Sequence, residues 1–442
     1  MKKITNYLRA FYLLKRLQKR AYWKVDELQK YQNKRLRSLI RYVNTHSLFY
    51  KNIFKKNNIN PRDIESKFDL SRLPIIRKND IKSASQEIIS DEYASGNLKC
   101  MSTSGSTGEP LFIYLSDFEI EFRKAKHLRA NSSVGQKPWD KWVTLTGPQH
   151  FSKTTRLQRL IGLYTPVSVS VFNDVPTQYS LIEKLNPAVL EGYSSSILLL
   201  AKHKETWEKK TINPRFILGG AELIDLHSIE YIEKIFQVPF YDQYASVEFE
   251  RIAWQCPEKK GYHIDSDAVI VQFLDKNGEE VSAGETGEVV VTSLFNYAMP
   301  FVRYNLGDVG IPSDEMCECG RNLPLMQMVE GRKDALLILP NGKLMTPRAF
   351  TYALHEFKYY NCIEKFQIVQ NRIDAFDFIL KIKEKSCKEE VVNTELLKHL
   401  QNIFNLKDVV FEIKFVDDIP LDKSGKLMAV VSKLKSNNQF KK

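Results

Sequence analysis

With 442 residues, 43% of them hydrophobic, the chain has enough apolar material for two or three packed domains without obligatory disulfide or metal staples. Its 65 Lys and Arg against 53 Asp and Glu leave a net charge of +12, which suits an anionic partner: a nucleotide, coenzyme A, a lipid surface or nucleic acid. No zinc-finger, ribonucleoprotein or basic-zipper pattern accompanies the charge, so nucleic acid is set aside, and no apolar run is long enough to span a bilayer. Residues 1–25 carry charges every few positions and no small-residue cleavage site, so the expected location is the cytoplasm, extending to peripheral contact at the inner face of a membrane.

The first acidic residue is Asp26. Before it, Ile4, Tyr7, Leu8, Phe11, Leu14 and Leu17 recur at helical spacing while Lys2, Lys3, Arg9, Lys15, Arg16, Lys19 and Arg20 occupy other faces. This predicts a basic amphipathic helix, docked on its own domain or on an anionic membrane or acidic partner. Leu36, Leu39, Ile40 and Val43 predict a second helix, completing a helical lead-in over 1–60. From about Lys99, short apolar runs at Trp142–Leu145, Ala188–Leu190, Phe216–Leu218 and Val238–Tyr241 alternate with helix-period segments, the pattern of a sheet with helices on its faces. Between Val269 and Thr292 the runs are broken at Asp275–Gly278 and Ala283–Gly287, which predicts β-hairpins. A block from about Lys333 carries a hairpin signal at Pro340–Lys343, strands at Lys365–Val369 and Phe376–Ile382, and a helix near Asn393–Phe404. The expected class is α/β: a large N-terminal domain of mixed sheets and β-hairpins over 1–332, and a small α+β domain over 333–442.

The densest chemical signal is Met101-Ser-Thr-Ser-Gly-Ser-Thr-Gly-Glu-Pro110. Glycines at 105 and 108 let the backbone approach an anion, and the hydroxyls of Ser102, Thr103, Ser104, Ser106 and Thr107 add donors without bulk, the makings of a phosphate clamp. No Lys follows Gly108, so this is not the G-x-x-x-x-G-K-[ST] loop, and such a run standing alone also describes an ordinary surface loop. A second constellation is Cys256, His263, Cys317 and Cys319. Three thiols and an imidazole make a closed tetrahedral set that would pin a hairpin to the core, with no position left for a catalytic water. The Cys-x-Cys gap is tighter than the usual two residues, so spacing alone leaves zinc and free thiols both open. Cys100, Cys362 and Cys387 lack such neighbours and read as plain thiols. His127, among Arg123, Lys124, Lys126 and Arg129, reads as part of a solvated basic helix face; His150 follows a strand end where an acyl pocket is conceivable.

The loop resembles the phosphate-binding loop of the adenylate-forming superfamily, which includes acyl-CoA synthetases, adenylation domains and luciferases; more closely, the chain resembles the phenylacetate-CoA ligase and CapK-like branch, in order from about Leu39 to Val431. Gly219-Gly-Ala-Glu222 is similar to the segment that packs on adenine. Tyr244-Ala-Ser-Val-Glu248 is similar to the aromatic-Gly-x-Thr-Glu motif, in which the aromatic stacks on adenine and the carboxylate helps hold Mg²⁺; Ala245 and Val247 depart from it, Ser246 keeps its place, and the missing Thr hydroxyl puts more polar work on Glu248. Arg303-Tyr-Asn-Leu-Gly-Asp308 resembles the segment whose Asp holds the ribose hydroxyls, and Glu330-Gly-Arg-Lys-Asp334 the hinge, with Arg332 near ribose or phosphate and Asp334 as pivot. Ile419-Pro-Leu-Asp-Lys-Ser-Gly-Lys426 resembles the mobile C-terminal loop whose Lys bridges acid and α-phosphate.

What the resemblance implies is a two-step ligase. ATP with Mg²⁺ and a carboxylic acid give an acyl-adenylate and pyrophosphate, and the small domain then turns so that an acceptor attacks. The acceptor is CoA in the ligases, an amino sugar or other amine in a CapK-like capsule enzyme, or absent in a scaffold that keeps the fold without turnover. Similar Cys/His positions in the branch imply a structural zinc at Cys256, His263, Cys317 and Cys319.

Overall fold

The computed structural model describes residues 2–84, 86–103, 111–152, 154–206, 212–332, 337–340, 344–345, 350–351, 353–354, 356–383, 387–404, 409–422 and 427–434. The chain separates into two units, Met1–Pro138 with Tyr241–Val329, and Trp139–Phe240 with Glu330–Lys442.

In the first unit the lead-in is helical as expected: Lys2–Arg20, Val25–His46 and Leu48–Lys56. Asp26 and Glu27 open the second helix, where their charge meets the positive end of the helix dipole, and Leu36, Leu39, Ile40 and Val43 all lie on its buried face. The first helix differs from its expected facing. It packs along helix Asp117–Ser133 through Ala10, Leu14, Leu17 and Ala21, while Leu8 and Phe11 point to solvent. The side chains of Ile4 and Tyr7 lie outside the described residues. Small Ala10 and Ala21 let two helices approach closely, a feature that a count of large apolar residues overlooks.

Arg20, read above as part of a polar face, is 4% exposed and donates from Nε to Asp267 Oδ2 at 2.8 Å. Helix Asp117–Ser133 likewise corrects the expectation of a solvated basic face, because Arg123, Lys126 and Arg129 are buried. Arg129 pairs with Asp265 at 2.5 Å and with Asp267 at 2.8 Å, and it also donates to Leu17 O. Lys126 Nζ lies 3.9 Å from Asp265, and Trp254 Nε1 donates to Asp265 Oδ1 at 2.7 Å. Burial raises Asp265 above its ordinary value, with Arg129 and Lys126 pulling the other way. Two fully enclosed carboxylates thus face three enclosed cations, and the desolvation of each charge is offset only while the set is complete.

The strands of this unit form an antiparallel array. Val269–Leu274, Gly287–Ser293, Tyr304–Ser313, Leu325–Arg332, Tyr262–Ile264, Glu250–Gln255 and Phe240–Ser246 lie side by side in that order. Val269–Leu274 pairs with Gly287–Ser293 as a hairpin, and the two turn signals at its tip hold Gly278 and Gly284 at φ +84° and +85°, a region open to glycine.

The second unit carries parallel strands Phe216–Gly220, Val189–Tyr193, Trp142–Thr146 and Pro166–Ser170, adjacent in that order. Helices Val175–Leu185, Ser194–Thr206 and Leu226–Phe236 bury Tyr179, Ile182, Ile197, Leu200, Ile229 and Phe236 against them. Asp174 and Asp225 cap two of these helices through Thr177 N and Ser228 N. Pro166–Ser170 was not legible as a strand: it opens on Pro, which suits an edge position that has no N–H to offer.

The same unit holds a four-stranded sheet ordered Val410–Phe415, Ala375–Ile382, Ile363–Arg372 and Val430–Ser432, covered by helix Glu389–Phe404. Leu337–Ile338 pairs with Leu344–Met345, so strands flank the expected hairpin at Pro340–Lys343, whose residues 341–343 lie outside the described set. Cys362 and Cys387, expected as plain thiols, are joined as a disulfide with Cα atoms 6.1 Å apart. Their separation of 25 residues carries no sequence signal of pairing, and the sheet brings them together.

Arg129→Met should leave Asp265 without its nearest cation and cost about 3–5 kcal/mol of folding stability, read as a lower urea midpoint at unchanged slope. A loss below about 1 kcal/mol would show that the enclosed charges are not mutually dependent.

Candidate nucleotide site and metal centre

Two paired strands flank the hydroxyl- and glycine-rich segment. Strands Lys99–Ser102 and Phe112–Leu115 pair antiparallel, with Ser102 opposite Phe112. Thr103 closes its base: its N–H donates to Leu111 O at 3.0 Å and its Oγ1 accepts from Leu111 N at 2.9 Å. Ser104, Gly105, Ser106, Thr107 and Gly108 lie outside the described residues, as do Asp334 and Lys426; Arg332 is described in its backbone alone.

Gly219 and Gly220 end the strand Phe216–Gly220, at the carboxyl edge where open α/β sheets bind ligands. A Cβ on Gly219 would fall 1.9 Å from Cζ of Phe240, a ring with no exposed surface, so this glycine is required by the core itself. Ala221 follows at φ +66°, a conformation L-residues seldom adopt, and Glu222 Oε2 accepts the Ser195 N–H at 2.9 Å. On the neighbouring strand end, burial raises the Tyr193 phenol above its ordinary 10.0, and the carboxylates of Glu222 and Asp422 add to the rise. Asp422, from the motif that ends at Lys426, is thereby close enough to act on Tyr193. His150 is exposed on the short turn Pro148–His150.

Two motif residues 64 positions apart meet directly, Tyr244 Oη donating to Asp308 Oδ2 at 2.6 Å. Ala245 and Ser246 complete the same strand, and Ser246 Oγ accepts from Phe249 N at 3.2 Å. Glu248 is 7% exposed, with Oε1 accepting from Tyr304 Oη at 3.3 Å.

The backbone beyond Tyr244 is held from behind by residues the sequence reading did not assign. Arg123 Nη2 donates to Val247 O at 2.7 Å and Nη1 to Glu248 O at 3.2 Å. Asn296 Nδ2 donates to Glu248 O at 3.0 Å, and Lys126 Nζ to Phe249 O at 3.0 Å. Glu250 is then held at φ +62° and ringed by Arg123 at 3.5 Å, Arg251 at 3.8 Å and His127 Nδ1 at 3.3 Å. A non-glycine residue persists in that conformation only where its surroundings over-determine it. His127 is therefore a partner of Glu250 rather than part of a solvated face.

Cys256, His263, Cys317 and Cys319 converge, their ligating atoms all within 4.8 Å of one another. Cys256 follows the strand Glu250–Gln255, and His263 sits mid-strand opposite both Trp254 and Leu325, so strand register fixes both. Cys256 Sγ and Cys317 Sγ are 3.5 Å apart, Cys319 Sγ and His263 Nε2 3.3 Å, close to the ligand-to-ligand spacing of about 3.3–3.8 Å around tetrahedral zinc. His263 Nδ1 faces Leu323 O at 3.4 Å, which turns Nε2 toward the thiols. Gly320, at φ +77°, reverses the chain after Cys319, and Ala21, Leu28, Ala130 and Leu323 enclose the group.

Burial pushes the Glu250 carboxyl upward, but the His127 bond and the guanidiniums of Arg123 and Arg251 outweigh it, so it sits well below its ordinary 4.5. A depressed folded value stabilises above the unfolded value and is lost as pH falls through the folded one. Wild-type protein should therefore lose stability steeply below about pH 4.5, and Glu250→Gln should flatten that acid limb in unfolding measurements across pH. Parallel acid limbs would show that Glu250 is not held by its cations.

Residues 337–433 match the CapK C-terminal domain. The chain is 24% identical to the phenylacetate-coenzyme A ligase of Thermus thermophilus, covering 87% of this chain and 88% of that protein. It is also 24% identical to Protein CapK of Staphylococcus aureus, covering 93% and 90%. In fold it is similar to a 2-hydroxyisobutyryl-CoA ligase in the postadenylation state with 2-HIB-AMP (TM-score 0.77, 18% identity, 93% of this chain and 91% of that one). An anthranilate CoA ligase with anthranoyl-AMP follows at TM-score 0.55 and 15% identity, covering 74% and 65%. The resemblance read from the motifs is supported: over most of its length this chain is similar to phenylacetate-coenzyme A ligases and to Protein CapK, and it shares the fold of AMP-forming CoA ligases.

Proposed function

We propose that the chain is an AMP-forming acid ligase that activates a carboxylic acid as its acyl-adenylate, releases pyrophosphate, and passes the acyl group to the thiol of CoA. The observation that carries this reading is the Tyr244–Asp308 hydrogen bond, which joins the aromatic and acidic members of two nucleotide motifs. In this reading Tyr244 stacks on adenine and Asp308 takes the ribose hydroxyls, while the roles that the resemblance gives Gly219, Gly220, Ala221 and Glu222 (adenine) and Arg332 (ribose or phosphate) are carried over with them. The loop Ser102–Gly108 clamps phosphate oxygens, and Glu248 helps to hold Mg²⁺. Lys426 neutralises charge as one anion attacks another. The division into 1–332 and a small turning domain over 333–442 is part of the same proposal, supported by a core drawn wholly from Leu337 to Val430. ATP and CoA as substrates suit a cytoplasmic setting. A second reading, which rests on the CapK-like resemblance of the sequence alone, has an amine replace CoA as acceptor.

Pyrophosphate release across a panel of carboxylic acids tests the activity, and mass analysis of products with CoA, with amines and with neither separates the acceptors. ATP binding without release for any acid would favour a scaffold. Lys426→Ala should lower adenylate formation by about 10²–10³ while sparing transfer from a preformed acyl-adenylate. Equal losses in both half-reactions would remove Lys426 from that role.

The Cys256, His263, Cys317 and Cys319 set fits a closed structural zinc, bound by thiolates and a neutral imidazole, that adds folding energy and leaves no position for substrate. Purified protein should carry about one equivalent of zinc, and Cys317→Ser should lower both zinc content and melting temperature. Zinc-free protein with an unaltered melting temperature would overturn the site.

A further inference from the structure

The first helix has a second face that the proposed ligase chemistry does not use. Ala10, Leu14, Leu17 and Ala21 are spent on docking against helix Asp117–Ser133, and Arg20 is locked on Asp267. The opposite side presents Leu8, Phe11 and Tyr12, which are 61%, 45% and 58% exposed, interleaved with exposed Arg9, Lys15, Arg16 and Lys19. The aromatics are held beneath the cations: Lys15 Nζ stands 5.4 Å from the Phe11 ring and Arg16 5.5 Å from the Tyr12 ring, with Arg16 Nη1 also donating to Tyr12 Oη at 3.0 Å. No carboxylate occurs before Asp26, so the field of this face is of one sign.

An exposed strip of this make-up is costly against water and unsuited to a dry protein interface, where four cations with no carboxylate partner among the described residues would lose their hydration. It is suited to the boundary of an anionic bilayer, where rings and Leu8 enter the acyl edge and the long basic side chains reach back to headgroups. We propose that the outer face of helix Lys2–Arg20 docks the protein in the plane of an anionic membrane, through Leu8, Phe11 and Tyr12 inserted and Arg9, Lys15, Arg16 and Lys19 paired with lipid phosphates. The inner face stays on helix Asp117–Ser133, so docking requires no unfolding of the unit. This inference stands apart from the ligase reading, since it concerns a surface and not the reaction.

The test is co-sedimentation of the full-length protein with phosphatidylglycerol-containing and pure phosphatidylcholine vesicles. The protein should pellet with the anionic vesicles and be released at high salt, as screening requires. Each basic residue strengthens partitioning about fivefold, so Lys15→Glu, Arg16→Glu and Lys19→Glu together should weaken it by on the order of a hundredfold or more. These side chains are exposed, and the melting temperature of that variant should match wild type. Leu8→Ser with Phe11→Ser should weaken binding while leaving the charge intact. Tyr12→Trp should add a blue-shifted emission with anionic vesicles only, which reports ring insertion. Undiminished binding by the charge variant, absence of anionic-vesicle binding by wild type, or no emission shift in Tyr12→Trp would each overturn the proposal. Capture by an acidic polymer with no preference for vesicles would assign the face to a soluble acidic partner instead.

Discussion

Asp265 and Asp267 are carboxylates enclosed away from water, and the first unit is arranged around the need to neutralise them. Asp267 takes Arg20 from the first helix and Arg129 from helix Asp117–Ser133; Asp265 takes Arg129, Trp254 Nε1 and the more distant Lys126. An enclosed ion pair adds little net stability over apolar packing, but it tolerates few alternatives: any register that displaces one partner strands a charge. The seating of the first helix, the rotation of the long helix about its axis and the position of the chain after His263 are fixed by one condition. Helix packing alone, with two alanines at the contact, would set the distance between the helices but not their register.

The rotation of helix Asp117–Ser133 has a second effect. With Arg129 turned to the carboxylates, Arg123 and Lys126 face the segment after Tyr244 and hold the carbonyls of Val247, Glu248 and Phe249. Those carbonyls belong to the turn between strands Phe240–Ser246 and Glu250–Gln255, the second of which opens on a left-handed Glu250, and in that turn no regular ladder supplies donors. The motif segment is therefore held from its backbone, which leaves its side chains to other partners. Rigid support of this kind would serve the Mg²⁺-holding role proposed for Glu248.

Much of the fold was legible in the sequence because it depends on short-range pattern. Apolar runs at 142–145, 188–190 and 216–218 fall on strands, Gly278 and Gly284 of the connection after Leu274 sit at positive φ, and the Cys/His quartet converges. What was not legible depends on partners distant in sequence. Arg123, Lys126 and Arg129 have the spacing of a wetted face, and nothing within the helix shows that carboxylates and carbonyls over a hundred residues away will bury them. Leu8 and Phe11 have the spacing of a docking face, yet small Ala10 and Ala21 mark the contact. Cys362 and Cys387 carry no spacing signal, and Pro166–Ser170 lacks the apolar run of its neighbours. Of the motifs that carry the resemblance, the Tyr244–Asp308 encounter is visible in the structure, while Lys426 and most of the 102–108 loop fall outside the described residues.

The sequence distances within the first unit bear on the order in which a nascent chain can assemble. Arg20 has no carboxylate to meet until Asp267 has been synthesised, and the carbonyls of Ala21 and Trp23 wait still longer for Asn322, which donates to both at 2.9 Å. By contrast, the parallel strands and helices between Trp142 and Phe240 form an unbroken stretch whose core is complete once Phe240 has left the ribosome. Domains tend to fold as their residues emerge, so the middle of the chain is equipped to fold before its beginning. For the time it takes to translate the 247 residues from Arg20 to Asp267, at about 5–20 per second, the basic first helix is a nascent segment without the carboxylate partner of Arg20 and open to chaperones.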